Sequence, residues 1–135
     1  MTHYLLDACA MVAFYNDEPE AEKVHDLLKQ ARAGSVRLSI SMMQLLEVYY
    51  DRIRVSGEEA AKIRIDAIRA EPISIIETVS FPIMYEAGRF KTAYSMSLAD
   101  CIAAATAKCL DATLITKDSE LKPAEKAGEF SVLWL

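Results

Sequence analysis

Four acidic residues stand in stretches of this sequence that are otherwise apolar. Asp7 ends the first apolar run, Glu47 interrupts an apolar helical pattern, Asp100 opens an apolar, alanine-rich helix, and Asp118 follows another apolar run. An isolated carboxylate is costly to bury, so buried carboxylates are normally paired, protonated or bound to a cation. Because the sequence around them offers no matched set of basic residues, the four positions together predict a divalent-metal site.

The cations that suit such a site are Mg²⁺ and Mn²⁺. Both are hard ions that prefer carboxylate and water oxygens, and clustered carboxylates repel one another unless a cation lies among them. A metal held this way can lower the pKa of a bound water and polarise a phosphoryl oxygen. The sequence contains no glycine-rich phosphate loop, Gly-Lys-Ser/Thr motif or Ser-His-Asp arrangement that would offer a competing chemistry.

Each of the four acidic residues also has a purely structural interpretation. Asp7 could form a turn after a strand, and Glu47 could be a solvated helix residue. Asp100 lies three residues after Ser97, which fits a helix-capping pattern, and Asp118 could form a turn or cap a helix. The order and joint occurrence of the four residues are stronger evidence than any one of them.

Short apolar segments alternate with helical segments along the chain, and this alternation predicts the elements that would position the acidic residues. We predict strands at 3–7, 37–40, 73–77, 112–116 and 131–135, and helices at 8–15, 16–32, 41–54, 56–71, 81–90 and 97–110. Asn16 or Asp17 is expected to cap the second helix, and a capping box at Ser56–Glu59 the fourth.

These elements predict an α/β fold: a three-layer α/β/α sandwich with a mostly parallel central sheet. In such sheets ligands bind outside the carboxyl ends of the strands. Asp7 and Asp118 each lie at or just past the carboxyl end of a predicted strand. The pattern therefore places both carboxylates on the functional edge of the sheet.

The length and composition fit a single globular domain spanning residues 1–135, with 53% hydrophobic and 26% charged residues. We expect no membrane segment and no signal peptide, and hence a cytoplasmic protein. The three cysteines form no metal-binding or disulfide pattern and are expected to be reduced. The net charge of -5 counts against tight non-specific binding of nucleic acid but does not exclude a nuclease.

Basic residues do cluster in one part of the chain, between positions 52 and 69. Acidic residues are interleaved with them, which favours a solvated face over a nucleic-acid-binding surface. The apolar residues Tyr49, Tyr50 and Ile53 beside this cluster could supply a dimer interface but are expected in the core. The clustered basic residues are Arg52, Arg54, Lys62, Arg64 and Arg69.

With these motifs the chain resembles the PIN-domain ribonucleases, particularly the small VapC-type toxins of type II toxin–antitoxin pairs. Leu5–Asp7 followed by a short helix is similar to the first acidic motif of that family, and Glu47–Val48 to the second. Ser97–Asp100 followed by an alanine-rich helix is the most specific match. Leu114–Asp118 is similar to the last motif, with Thr116 at the usual hydroxyl position. The resemblance covers essentially the whole chain.

The resemblance implies cleavage of single-stranded RNA with Mg²⁺ or Mn²⁺ as cofactor. It implies that Asp7, Asp100 and Asp118 hold the metal directly or through water. Glu47 would complete the metal site and orient the attacking water, and Thr116 would support the carboxylates by hydrogen bonding. A cognate antitoxin protein is the implied partner, and a homodimer the implied assembly.

One position departs from the family pattern, and two other functions remain open. Many relatives carry Ser or Thr just after the first Asp, where this chain has Ala8 and Cys9, so a supporting hydroxyl is missing there. An aspartyl-phosphate phosphatase or phosphotransferase would use Asp7 as nucleophile. Phosphatases of the haloacid-dehalogenase type need a second Asp where Cys9 stands, and the other parts of a receiver domain are absent. A non-catalytic PIN module that binds RNA or protein has no support, because all four acidic positions are filled.

Overall fold

A five-stranded sheet forms the centre of the computed structural model, which describes residues 1–135. Its strands are β1 (Thr2–Leu6), β2 (Val36–Ser41), β3 (Ile73–Ile76), β4 (Thr113–Thr116) and β5 (Ser131–Trp134). They lie in the order β3-β2-β1-β4-β5, and every neighbouring pair runs parallel. The predicted parallel sheet is confirmed, and each strand begins and ends within one residue of its predicted bounds.

Seven helices connect the strands and cover the sheet. They are α1 (Ala8–Tyr15), α2 (Ala21–Arg32), α3 (Met42–Ser56), α4 (Glu58–Arg69), α5 (Phe81–Ala93), α6 (Leu98–Cys109) and α7 (Lys122–Lys126), with a 3₁₀ helix at Ser119–Leu121. None of them combines the length and the apolar character that crossing a bilayer requires.

The three layers follow from the alternation of side chains along the central strands. Leu5 and Leu114 point to one face of the sheet, where they pack with α5 and α6. Leu6 and Ile115 point to the opposite face, where they pack with α1, α2 and α3. Both faces of the sheet are therefore buried under helices, and the predicted α/β/α sandwich is confirmed.

Two predicted helix starts are wrong. Ser56 is the last residue of α3 rather than the cap of α4, and Gly57, with a φ of +87°, is the single residue between α3 and α4. Glycine adopts that backbone conformation without steric cost, so the chain turns from one helix into the next with no loop. Helix α2 begins only at Ala21, because the backbone of Asp17 takes a φ of +52° and leaves the helical path.

The starts of helices α1, α3 and α6 lie near one another at the carboxyl edge of the sheet. Strands β1 and β4 are direct neighbours, with Leu6 beside Ile115, so Asp7 and the segment after β4 emerge side by side. Helix α6 packs its alanine face tightly against the core. Helix α3 is tied to α6 by Gln44, which is fully buried and donates from Nε2 to the Ala99 carbonyl at 2.9 Å.

Candidate metal centre

Three of the four predicted acidic residues meet at this edge of the sheet. Asp7, Asp100 and Asp118 each offer a carboxylate oxygen, and these oxygens all lie within 4.8 Å of one another. Asp7 and Asp100 are each only 5% exposed, and Asp118 is half-buried. The carboxylate of Glu47 is not part of this set. Its half-buried side chain is close enough for the charges of Asp7 and Asp118 to act on it.

Asp7 is held in place by hydrogen bonds to both of its carboxylate oxygens. Oδ1 accepts from the Ala8 backbone N–H at 2.8 Å, so that Asp7 caps helix α1. Oδ2 accepts from the Thr116 hydroxyl at 2.7 Å. Thr116 itself has no exposed surface. Asp7 therefore caps helix α1 and also offers a carboxylate oxygen to the acidic cluster.

Asp100 lies in the first turn of α6, where Ser97 caps the helix by accepting the Asp100 N–H at 3.1 Å. The reciprocal half of the predicted capping pattern does not form. The Ser97 N–H instead donates to Glu120 Oε2 at 3.4 Å, and Oδ2 of Asp100 is buried without any hydrogen-bond donor. A buried oxygen without a donor is unfavourable unless another partner reaches it, so this oxygen is suited to a cation.

Asp118 combines a local structural role with its place in the cluster. Its Oδ1 accepts from the Glu120 backbone N–H at 3.0 Å and caps the 3₁₀ helix. Its own N–H donates to the Thr116 hydroxyl at 3.0 Å. Thr116 thus links the Asp7 carboxylate after β1 to the backbone N–H of Asp118 after β4.

The carboxyl groups of the cluster lie close together, so each disfavours ionisation of the others. Burial, together with the neighbouring carboxyl groups of Glu120 and Asp118, raises the pKa of Asp100 to about 8. Burial also raises the pKa of Asp7, against the opposing effect of its hydrogen bond from Thr116. The pKa of Glu47 is raised by burial and then by the charges of Asp7 and Asp118.

No basic side chain neutralises this charge. None of the salt bridges in the protein involves the three clustered aspartates or Glu47. Lys117, the nearest basic residue in sequence, pairs instead with Glu18 at 3.0 Å and Glu20 at 3.6 Å. An unpaired, oxygen-only set of donors fits a hard divalent cation such as Mg²⁺ or Mn²⁺.

Two residues at the site were not identified from the sequence as parts of it. Glu120 is a further carboxylate beside Asp100, and the contact that places it there joins segments 23 residues apart. Cys9 occupies the place where a supporting hydroxyl was expected to be missing. Its Sγ lies 3.7 Å from Asp7 Oδ2 and 3.5 Å from Thr116 Oγ1, and burial raises its pKa to about 11, which keeps the thiol a neutral donor.

Fold and site together define an α/β/α protein with an acidic centre at the carboxyl edge of a parallel sheet. The family model of the PIN domain matches residues 4–127. The chain therefore belongs to the PIN domain family. No curated protein matches it closely in sequence.

Solved structures with the same fold include several toxin–antitoxin proteins. The VapBC2 complex from Rickettsia felis, bound to a promoter DNA fragment, is 19% identical with a TM-score of 0.79 and 98% of each chain covered. DNA-bound VapBC from Salmonella typhimurium is 13% identical with a TM-score of 0.72, covering 99% of this chain and 98% of that one. VapC20 of Mycobacterium tuberculosis, a toxin that cleaves the sarcin–ricin loop, is 14% identical with a TM-score of 0.66, covering 90% and 94%. At these identities the likeness is one of fold.

Proposed function

We propose that this protein is a metal-dependent endoribonuclease that cleaves single-stranded regions of RNA and acts as the toxin of a toxin–antitoxin pair. The observation that carries the proposal is the unpaired cluster of Asp7, Asp100 and Asp118, with one buried Asp100 oxygen that has no hydrogen-bond donor. Membership of the PIN family and structural likeness to a toxin that cleaves the sarcin–ricin loop support the same activity.

In this proposal each residue of the site has a separate task. Asp7, Asp100 and Asp118 hold Mg²⁺ or Mn²⁺. When bound, the cation supplies the Lewis acidity that activates water and offsets charge on phosphoryl oxygens. Glu47, half-buried beside the cluster, accepts a hydrogen bond from the attacking water and orients it. Thr116 fixes the carboxylate of Asp7 by donating to it.

The geometry of Asp7 argues against the aspartyl-phosphate alternative. Both of its oxygens accept hydrogen bonds, one from the Ala8 backbone and one from Thr116. A carboxylate restrained in this way is oriented as a ligand rather than presented as a nucleophile. Cys9, which stands where a phosphatase of the haloacid-dehalogenase type needs its second Asp, donates to that same carboxylate.

Cleavage of a labelled single-stranded RNA tests the proposal. The wild-type protein is expected to cleave it with Mg²⁺ or Mn²⁺, and excess EDTA is expected to stop the reaction. Asp100→Asn should lose most of the activity, whereas Asp26→Asn, at an exposed position on α2, should keep it. Cleavage that continues in EDTA, or that survives in Asp100→Asn, would contradict the metal mechanism. A wild-type protein that cleaves no RNA under any of these conditions would favour the non-catalytic alternative.

An antitoxin is the proposed partner, and an apolar groove along helix α3 offers a place for it. The groove has a volume of about 690 Å³ and lies mainly between α3 and α4. Leu46, which is 49% exposed, and Met43 and Tyr49 line it on α3, the helix that also carries Glu47. A partner helix with an apolar face fits such a groove, and an Arg from it would reach towards the unpaired carboxylates.

Co-purification with the protein encoded by the neighbouring gene tests this docking site. Leu46→Asp is expected to release the partner, because it places a charge in the apolar groove. Val55→Asp is the matched control, since Val55 is 69% exposed on α3 but does not line the groove. Equal retention of the partner by both variants, with unchanged melting temperatures, would place the antitoxin elsewhere.

We also propose that the protein forms a homodimer. Helix α5 exposes an aromatic pair, Phe81 and Tyr85, whose ring centroids lie 6.2 Å apart and which are 71% and 68% exposed. Large exposed apolar side chains that lie together are typical of association surfaces. Light scattering should give twice the mass of the chain, and Tyr85→Glu should give the mass of a monomer. A wild-type protein with the mass of one chain would contradict the dimer.

A further inference from the structure

The proposed cation offsets charge only at the phosphate that it contacts, and the carboxylates of the acidic centre repel the other phosphates of the substrate. A substrate polyanion therefore needs positive charge close to the centre. Lys117 does not supply it, because Glu18 and Glu20 already pair with its ammonium group. Arg32, Arg89 and Lys108 are likewise engaged in salt bridges.

An unpaired guanidinium lies on the helix that carries Glu47. Residues separated by three, four or seven positions share one face of a helix, so Glu47, Tyr50 and Arg54 form a row along α3. The seven positions from Glu47 to Arg54 correspond to about 10 Å along the helix axis. The row therefore leads outward from the acidic centre over a distance that a short single-stranded segment can span.

Tyr50 and Arg54 form one platform at the surface. The Arg54 guanidinium lies over the Tyr50 ring, 4.8 Å from its centroid. The sequence favoured a core position for Tyr50, but the structure leaves it 39% exposed. Stacking orients the guanidinium without neutralising it, and leaves its hydrogen-bond donors free for an anion.

The other basic residues of this region lie away from the row, and the interleaved acids do not neutralise Arg54. Arg64 stacks on Tyr15, 4.4 Å from its ring centroid, and Lys62 lines the apolar groove. Asp51 shares the Glu47 side of α3, yet it forms no salt bridge with Arg54. Arg54 is thus a free positive charge in line with the acidic centre.

We infer that the Tyr50–Arg54 platform binds a nucleotide of the RNA that flanks the cleaved bond, an inference that rests on the proposed ribonuclease function. The Arg54 guanidinium takes the phosphate of that nucleotide, and the face of the Tyr50 ring that Arg54 does not cover provides a stacking surface for its base. Stacking on aromatic rings and contacts from arginine are the usual means by which proteins hold single-stranded RNA. Neither contact reads a particular base, so the platform holds the strand without selecting its sequence.

Binding of a short, mixed-sequence, fluorescein-labelled oligoribonucleotide, measured by anisotropy in EDTA, tests the platform without cleavage. Tyr50→Ala is expected to weaken binding about 5- to 10-fold, the lower end of the range for loss of one stacked base. Arg54→Ala should also weaken it, and should reduce the slope of log affinity against log salt by about 0.7. Asp51→Asn should tighten binding, because it removes a repelling charge beside Arg54.

Two further measurements separate this inference from the proposed function and from a folding defect. Arg69→Ala removes an exposed, unpaired arginine at the far end of α4 and should bind like the wild type. In the cleavage assay with Mn²⁺, Arg54→Ala should raise KM with little change in kcat, whereas a damaged fold would lower the melting temperature and kcat together.

The results distinguish failure of the Tyr50–Arg54 platform from failure of the proposed ribonuclease function. Wild-type cleavage with unchanged affinity and salt slope in Arg54→Ala and Tyr50→Ala would overturn the platform and leave the ribonuclease proposal standing. If those variants bind RNA normally but lose the product of the neighbouring gene, the platform is a protein-binding surface and the inference is wrong. A wild-type protein that neither binds nor cleaves RNA would overturn both proposals.

Discussion

Replacing Asp100 by Asn removes one buried ionisable carboxyl group from the centre while keeping the shape of the side chain. The pKa of Asp100 is raised from 3.8 to about 8. A carboxyl group that holds its proton more tightly in the folded state makes folding less favourable above its unfolded pKa. At pH 7.5 a shift of this size corresponds to about 5 kcal/mol as an upper limit, at 1.36 kcal/mol for each pH unit.

The expected gain is smaller than this limit. The site relaxes around the carboxyl group, and the amide of Asn brings its own need for hydrogen bonds. We expect Asp100→Asn to stabilise the metal-free protein by about 2 kcal/mol, or about 8 °C in melting temperature for a chain of this size. If Asp100 had only a structural role at the start of α6, Asp100→Asn would destabilise the protein instead. Loss of a favourable charge from the first helical turn costs about 0.3–1 kcal/mol.

Thermal melting of both proteins in EDTA and then in Mn²⁺ is the assay. A ligand at 100 times its Kd stabilises the folded state by about 2.7 kcal/mol, so Mn²⁺ should raise the melting temperature of the wild type well above its metal-free value. It should raise that of Asp100→Asn much less. Asp26→Asn, the exposed control on α2, should behave like the wild type. A metal-free Asp100→Asn protein that melts below the wild type, with an equal Mn²⁺ shift in both, would refute this account of the centre.

Other changes at the site have defined outcomes. The metal-free wild type should lose stability in melting experiments as the pH rises from about 4 to about 8, since folded Asp100 binds its proton more tightly than unfolded Asp100. Thr116→Val should weaken Mn²⁺ binding at least about 10-fold in a titration, because Asp7 loses its hydroxyl donor. Gln44→Leu should lower the free energy of unfolding in urea by about 1–3 kcal/mol, because the part-buried Ala99 carbonyl loses the Gln44 donor that links α6 to α3 and the buried Ser41 hydroxyl loses its acceptor. No change in the respective measurement would contradict each of these expectations.

The parallel sheet and the clustered aspartates could be predicted from the sequence for a common physical reason. Strands of four to six residues buried on both faces appear as short apolar runs, and the polar residue that ends such a run marks the carboxyl edge of the sheet. Asp7 and Asp118 follow this rule directly. Asp100 was recognisable because an alanine-rich helix packs closely enough to carry its first turn to that edge.

Two contacts between distant segments and one helix boundary could not be predicted from the sequence. The Ser97 N–H bonds to Glu120 rather than to Asp100, and nothing in the local sequence shows this. Cys9 reaches Thr116 across more than one hundred positions. The predicted capping box at Ser56 does not form, because the positive φ of Gly57 allows the chain to turn directly from one helix into the next.

The most direct test of the central claim compares Mn²⁺ binding with RNA cleavage in the same protein. Electron paramagnetic resonance gives the Kd of Mn²⁺ from the signal of the free ion, and cleavage of a labelled single-stranded RNA gives the Mn²⁺ concentration for half-maximal rate. The two values should agree for the wild type, and both binding and cleavage should be lost in Asp7→Asn and Asp100→Asn. Cleavage at the wild-type rate in these variants, or cleavage that is independent of Mn²⁺ occupancy, would show that the acidic centre is not the site of the reaction.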